Sequence, residues 1–328
     1  MVSFFFAGDR LQANIWFWVG FNAFILLLLA LDLGVFHRKA HEIKFKEATW
    51  WSIFWVTLSL LFNLGIYLYG GAEPALQFLT GYLIEKALSA DNIFVMVVIF
   101  GYFGVPAMYQ HRVLFWGILG ALVMRGAFIL LGTVLINKFH WIIFVFGGLL
   151  VYTGAKLAFR EEEPVDFEDN AILKMARRFI RVTPQYHGKH FFAVENGRLV
   201  ATPLFVVLLM IEITDLIFAV DSIPAIFAVT TDPFIVYTSN ILAILGLRSL
   251  YFLLANVVDK FRYLKYGLAF ILVFVGAKML ISDVYKVPVV ISLSVIAATL
   301  LVTIVLSLVV ERREERAGAL RENEHKAV

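Results

Sequence analysis

Apolar residues run through this chain in blocks of about twenty, separated by short polar stretches. A helix needs roughly 20 residues to cross a hydrocarbon core of about 30 Å. Nine blocks reach that length: 13–36, 49–70, 76–103, 111–136, 139–159, 202–228, 234–256, 263–282 and 288–310. The pattern predicts an all-α membrane protein of about nine transmembrane helices. The polar stretches alternate in kind. "HRKAHEIKFK" (37–46), "QHR" (110–112), the loop from Arg160 to Arg198, "DKFRYLK" (259–265) and the tail after Glu311 hold most of the Lys and Arg. "GGAEP" and "VTTDP" are nearly free of them. By the positive-inside rule the N-terminus is outside and the C-terminus cytoplasmic.

The long basic loop has an internal pattern of its own. "FEDNAILKMARRFIRV" (167–182) sets Ile172, Met175, Ala176, Phe179 and Ile180 opposite Lys174, Arg177, Arg178 and Arg181. Spacings of three and four predict a basic amphipathic helix on the membrane surface. In "HFFAVENGRLVATP", Asn196-Gly197 between β-rich stretches predicts a two-residue hairpin. The expected organisation is two N-terminal spans (1–75), a three-span unit (76–160), the cytoplasmic loop (161–201), a second three-span unit (202–285), and a last span with its tail (286–328).

The two three-span units carry the same polar features in the same order. Spans three to five read Glu85, five residues, Asp91-Asn92, then Arg125, then Gly-Ala-Lys at 154–156. Spans six to eight read Asp215, five residues, Asp221-Ser222, then Arg248, then Gly-Ala-Lys at 276–278. Three spans is an odd number, so the second copy enters the bilayer from the other side. That is the inverted repeat of secondary transporters, whose sites lie near the midplane.

Composition adds two constraints. The 328 residues are 61% hydrophobic and 16% charged, against about 45–50% and about 25% in soluble domains, which fits a chain solvated by lipid. They include no cysteine, so disulfides and thiolate metal sites are excluded. The net charge of +3 matters only through its placement in alternate loops, and nothing in that placement points to nucleic acid. The run from Ile15 to Phe36 is long for a signal peptide and reads as a retained first span.

A buried carboxylate costs about 2.5–3.5 kcal/mol on insertion scales, so five of them in two matched motifs call for chemistry. Glu85, Asp91, Glu212, Asp215 and Asp221 carry five negative charges, and Lys86, Arg125 and Arg248 can return three. One divalent cation balances the remaining two, and in its absence protons would. Metal and protons then compete for shared groups, the basis of exchange. Asn92, Ser222 and backbone carbonyls complete an all-oxygen ligand set, which favours Mg²⁺, Ca²⁺ or Mn²⁺ over zinc and copper. On one unbroken helix, residues six apart differ by about 240° in direction. Bringing each Asp to its partner therefore requires a helix break. Asp221-Ser222-Ile223-Pro224 predicts one, with Ser222 as N-cap, and Asp91-Asn92 has similar cap chemistry. Asp32, Asn63 and Asn240 read as packing polar groups, Lys156 and Lys278 as snorkelling cations, Met96 and Met210 as core, and His187 and His190 as solvated loop.

Three segments, "GYLIEKALSADNIFV" (81–95), "EITDLIFAVDSIPAIFAVTTDPFIVYTSNILAILGLRSLYFLL" (212–254) and "KYGLAFILVFVGAKMLI" (265–281), resemble the TerC family of integral membrane proteins, and within it the Alx branch. The resemblance implies export of Mn²⁺ across the bacterial inner membrane, with Mn²⁺ as substrate and no tightly bound cofactor. It carries the family's acidic motif onto Glu85, Asp91, Glu212, Asp215 and Asp221. A link to tellurite, found for some relatives, gains nothing from these residues, because carboxylates repel an oxyanion. Three alternatives stand beside this reading: a Ca²⁺ or Mg²⁺ exchanger of the same design, a non-transporting partner of the secretion machinery that delivers metal to secreted proteins, and an intramembrane aspartyl protease. The last would carry "YD" and "GxGD" strings, and neither occurs. The expectation is a carrier and no enzyme, with lipid, a divalent ion and protons as partners. A second copy of the chain is a further candidate partner.

Overall fold

A computed structural model describes residues 15–31, 45–139, 141–159, 181–195, 197–254 and 263–326. The basic stretches 37–44 and 160–180, Asp32, Asn196 and most of the expected amphipathic helix lie outside these residues. Helices make up nearly all of what is described: α1 (Ile15–Leu31), α2 (Phe45–Gly70), α3 (Ala72–Tyr102), α4 (Ala107–Lys138), α5 (Ile142–Phe159), α6 (Pro203–Phe227), α7 (Pro233–Leu245), α8 (Leu247–Leu254), α9 (Leu264–Leu280) and α10 (Val289–Lys326). One hairpin, β1 (Phe192–Glu195) and β2 (Arg198–Ala201), interrupts them.

Six helices are long and apolar enough to cross a bilayer among the described residues: α2, α4, α5, α6, the joined α7–α8 (Pro233–Leu254), and the Val289–Val310 part of α10. Their mid-helix surfaces carry many exposed large apolar side chains, such as Leu61, Leu131, Val145 and Leu301, as lipid requires. The other three expected spans fall on α1 and α9, each 17 residues long, and on α3, whose 31 residues hold Glu73, Glu85, Lys86 and Asp91.

Two expected helix breaks are absent. α3 runs straight through Asp91-Asn92, and α6 continues through Asp221-Ser222 with Pro224 inside it. The side chains meant to cap a restarting helix have tertiary partners instead: Asn92 donates to Asp215, Ser222 accepts from Arg125, and Asp221 accepts from Thr153. The proline costs one backbone hydrogen bond, which a transmembrane helix tolerates when neighbours pack around it. The interruption falls elsewhere, at Gly246 between α7 and α8. There Lys86 donates to the carbonyl of Ala243 at 2.8 Å, placing a cation at the carbonyl end of α7. α7 itself starts as its sequence dictates, with Pro233 in the first turn and Asp232 accepting from the amides of Phe234 and Ile235 at 2.9 and 3.3 Å.

Contacts fix the relative directions of the helices. Gly81 faces Ile226 and Asn92 bonds Asp215, so α3 and α6 run antiparallel. Gly81 also faces Ser239 while Lys86 reaches Ala243, so α3 and α7 run parallel. Gly120 meets Glu212 and Gly132 meets Phe227, so α4 and α6 run parallel. α5 and α9 form the closest pair, and glycine sets it. A Cβ on Gly276 would lie 2.7 Å from the carbonyl oxygen of Gly147, and one on Gly154 would lie 2.8 Å from that of Ala269. Only backbone fits there, the small-residue packing that brings helices together in lipid.

The hairpin forms as its turn residues predict, with Glu195 opposite Arg198 and Gly197 at φ 73°. The segment leading into it is tied to the end of α3 by Tyr186, whose hydroxyl donates to the carbonyl of Phe103 at 2.6 Å; burial pushes that phenol up from its ordinary range. Glu195 accepts from Thr183 at 2.8 Å and pairs with His187 at 2.9 Å. Those bonds hold its carboxyl below the usual glutamate value.

Candidate functional site

At the centre of the α3–α6 crossing lies one buried guanidinium. Arg125, on α4 and 1% exposed, pairs with Glu85 of α3 through Nη1 and with Asp215 of α6 through Nη2 at 2.8 Å and Nε at 3.1 Å. Nη1 also reaches Ser222 Oγ at 3.3 Å and Asn240 Oδ1 at 3.4 Å. The carboxylates are held from behind. Asn240 Nδ2 donates to Glu85 Oε2 at 3.0 Å, and Asn92 Nδ2 to Asp215 Oδ1 at 3.3 Å. Four helices thus supply one knot: Glu85 and Asn92 from α3, Arg125 from α4, Asp215 and Ser222 from α6, and Asn240 from α7.

The unbroken helices decide which carboxylates join it. Six residues turn a side chain through about 240° and advance it about 9 Å. Asp91 therefore points away from Glu85, displaced along α3 toward the hairpin end, and Asp221 points away from Asp215, displaced along the antiparallel α6 toward the opposite end. Asp221 accepts from Thr153 of α5 at 3.0 Å and feels the charge of Lys156; Asp91 feels that of Lys265 on α9. Among the described residues no three His, Cys, Asp or Glu side chains converge as metal ligands. Four of the five acidic groups thus form a central pair, Glu85 and Asp215, with Asp91 and Asp221 displaced along the helices to either side.

Glu212 stands next to Asp215 without joining the knot. Its carboxyl lies where a side chain on Gly120 would otherwise sit, and its Oε2 is buried with no hydrogen-bond partner. A small cavity of about 10 Å³, enough for a single water, opens beside Asp215 toward the hairpin end and is lined by Met96, Leu114, Ile211 and Arg248. Of the three cations expected to balance charge, Arg125 does so directly, Lys86 bonds a helix carbonyl, and Arg248 borders this cavity. Lys278 donates to Ser292 at 2.9 Å, and Met96 and Met210 pack in the core.

Sequence reasoning missed two contributors. Asn240 read as a packing residue, although a lone amide in the middle of an apolar span was the available signal. Thr153 precedes the Gly-Ala-Lys string, and only its contact with Asp221 marks it.

The TerC integral membrane protein family matches residues 70–315, a stretch that includes every residue of the knot. An uncharacterized membrane protein of Myxococcus xanthus, STKORF319, is 58% identical over 302 residues, covering 92% of this chain and 95% of that one. Escherichia coli Alx, named as a membrane-bound redox modulator, is 49% identical over 308 residues, covering 91% and 96%. A membrane protein of Rickettsia bellii is 46% identical over 292 residues, covering 89% and 97%. No solved structure matches. On its sequence and its helical, lipid-facing architecture, this chain belongs to the TerC family of integral membrane proteins.

Proposed function

We propose that the protein is a secondary transporter that exports a divalent cation, Mn²⁺ in first place, across the bacterial inner membrane in exchange for protons. The observation that carries this reading is the convergence of carboxylate, hydroxyl and amide oxygens from three helices on one buried point, at the crossing of the two helices that bear the repeated motif. Oxygen donors of this kind suit hard divalent ions. With Glu85, Asp215 and Glu212 ionised against Arg125, the centre carries two uncompensated negative charges, which one divalent ion or two protons would balance. Asp91 and Asp221 lie about 9 Å to either side along the helices, as stations between the centre and each face.

The directions of the helices support an inverted repeat, and the alternation of Lys- and Arg-rich loops supports nine spans with the N-terminus outside. α3 and α6 are antiparallel, α5 and α9 are antiparallel, and the parallel pair α3–α7 mirrors α6–α4. The matched glycines Gly154 and Gly276 occupy corresponding places in the α5–α9 crossing. Mn²⁺ is preferred to Mg²⁺ because Mg²⁺ surrenders water reluctantly and demands near-ideal octahedral geometry; a Ca²⁺ or Mg²⁺ exchanger is the nearest alternative. A role as a metal-delivering partner of the secretion machinery would leave the same site without flux. The name of the Alx relatives suggests redox work, but these 328 residues include no cysteine for thiol exchange.

The test is purified protein in liposomes, with Mn²⁺, Ca²⁺ and Mg²⁺ offered separately at set internal and external pH. Mn²⁺ flux should rise when the release side is acidified, because protons displace metal from shared carboxylates, and collapse of the proton gradient should slow it. Asp91→Asn and Asp221→Asn should each abolish flux. Flux of Ca²⁺ alone would move the assignment to the alternative, and no flux of any ion would favour the partner role.

A further inference from the structure

We propose that Arg125 is a built-in counter-cation that holds the ion's place when the site is empty, and that a divalent ion enters by displacing it toward Glu212. This rests on the cation-exchange reading above and adds the step by which the site loads. The argument starts from the atoms that converge. Glu85 Oε1, both carboxylate oxygens of Asp215, Ser222 Oγ and Asn240 Oδ1 all point at one guanidinium. Two carboxylates, a hydroxyl and an amide oxygen are the donors a hard divalent ion takes. The guanidinium and such an ion therefore cannot use them together.

An uncompensated carboxylate pair inside a bilayer is strongly disfavoured. A tethered cation offsets half of that charge in the metal-free state and leaves protons to balance the rest. A guanidinium spreads its charge over a planar fork that fits carboxylates two oxygens at a time, whereas a divalent ion concentrates twice the charge in one point. The ion can therefore win the pair, provided the displaced guanidinium finds another anion.

The structure holds a candidate on the neighbouring turn of α6. Glu212 lies one turn before Asp215 on α6, against α4 at Gly120, five residues before Arg125. Its buried Oε2 has no hydrogen-bond partner, an arrangement that costs free energy unless the group serves a second state. With the guanidinium on Glu212, all three carboxylates are compensated: Glu85 and Asp215 by the metal, Glu212 by Arg125. Release reverses the swing, since the returning guanidinium competes with the ion for its own ligands.

The test measures binding separately from transport. Purified protein in detergent is titrated with Mn²⁺, and bound metal is counted by loss of the aqueous Mn²⁺ paramagnetic resonance signal. If Arg125 competes with the ion, Arg125→Gln should bind Mn²⁺ about tenfold tighter or more, because the tax of displacing a resident competitor disappears, while turnover in liposomes falls. Arg125→Lys, which keeps the charge but cannot bridge both carboxylates, should fall between the two and serves if the glutamine variant does not fold. Glu212→Gln should weaken Mn²⁺ binding in the wild-type background and much less in Arg125→Gln, the coupling expected if Glu212 acts through the guanidinium. Wild-type or weaker Mn²⁺ affinity in Arg125→Lys and Arg125→Gln would overturn the proposal and leave Arg125 a fixed structural ion pair. That outcome differs from failure of the transport reading, in which the wild-type protein itself neither binds nor moves a divalent ion.

Discussion

Glu85 and Asp221 are both membrane carboxylates in the repeated motif, yet their surroundings give them opposite sensitivities. Glu85 shares the Arg125 guanidinium and accepts from Asn240. Its replacement by Gln removes one half of a buried ion pair, a change that costs about 3–5 kcal/mol in the folded state. The same change makes the span easier to insert, by up to about 2.5–3.5 kcal/mol. Glu85→Gln should therefore reach the membrane in normal or higher amounts and then unfold at a clearly lower temperature in detergent. Asp221 is tied by the single hydroxyl of Thr153, whose net worth is about 1 kcal/mol. Asp221→Asn should keep a near-wild-type melting temperature while losing flux. Equal loss of stability in the two variants would contradict the division into a locked central pair and a freer flanking Asp. Sequence placed both residues in one acidic motif. It could not divide them, because the division depends on where Arg125 arrives from another helix.

Among the helices, the α5–α9 pair is the tightest junction, and its closeness is written in small residues. Gly147, Gly154 and Gly276 bring backbone against backbone. A methyl on Gly276 would meet the Gly147 carbonyl at 2.7 Å, the Leu150 Cβ at 2.9 Å and the Val151 Cγ2 at 2.9 Å, and the first two are fixed by the backbone. Gly276→Ala should destabilise the protein by about 1–3 kcal/mol through overpacking, whereas Gly148→Ala, whose Cβ would meet nothing within 4 Å, should be close to neutral. Thermal unfolding of the two variants in one detergent checks the contrast. Gly148 and Gly276 look alike as letters in an apolar run, and only the facing helix distinguishes them. The Gly-Ala-Lys strings were visible as a repeat, but their glycines turn out to set helix spacing, while their lysines sit at helix ends. The element-level expectation that failed was the pair of helix breaks: cap-forming residues signal a restart only when no tertiary partner takes the same side chains.

For the whole molecule, the orientation of the chain in the bilayer is the property on which the exchange reading depends. Reporters fused after Arg160 and Arg262 should read cytoplasmic, and those at Gly71 and Asp232 should read external, as the distribution of Lys and Arg requires. If Gly71 and Arg160 report the same side, the two three-helix units do not face opposite ways, and the midplane site loses its symmetry.

The sequence by itself determined that the chain lives in lipid, where its apolar blocks begin and end, that a hairpin forms between Glu195 and Arg198, and that two units carry the same acidic motif. These are local properties: block length, turn chemistry and residue order along one strand of chain. The tertiary structure decided which carboxylates meet. Helical geometry fixes the 240° between Glu85 and Asp91, but not which face of α3 turns toward α6. That choice follows from the close approaches of Gly81 to Ser239 and Gly120 to Glu212, and from the reach of Arg125 across the crossing. A buried charge takes whatever partner packing brings to it, and residues 40 to 155 positions apart in the chain become neighbours only when the helices have packed.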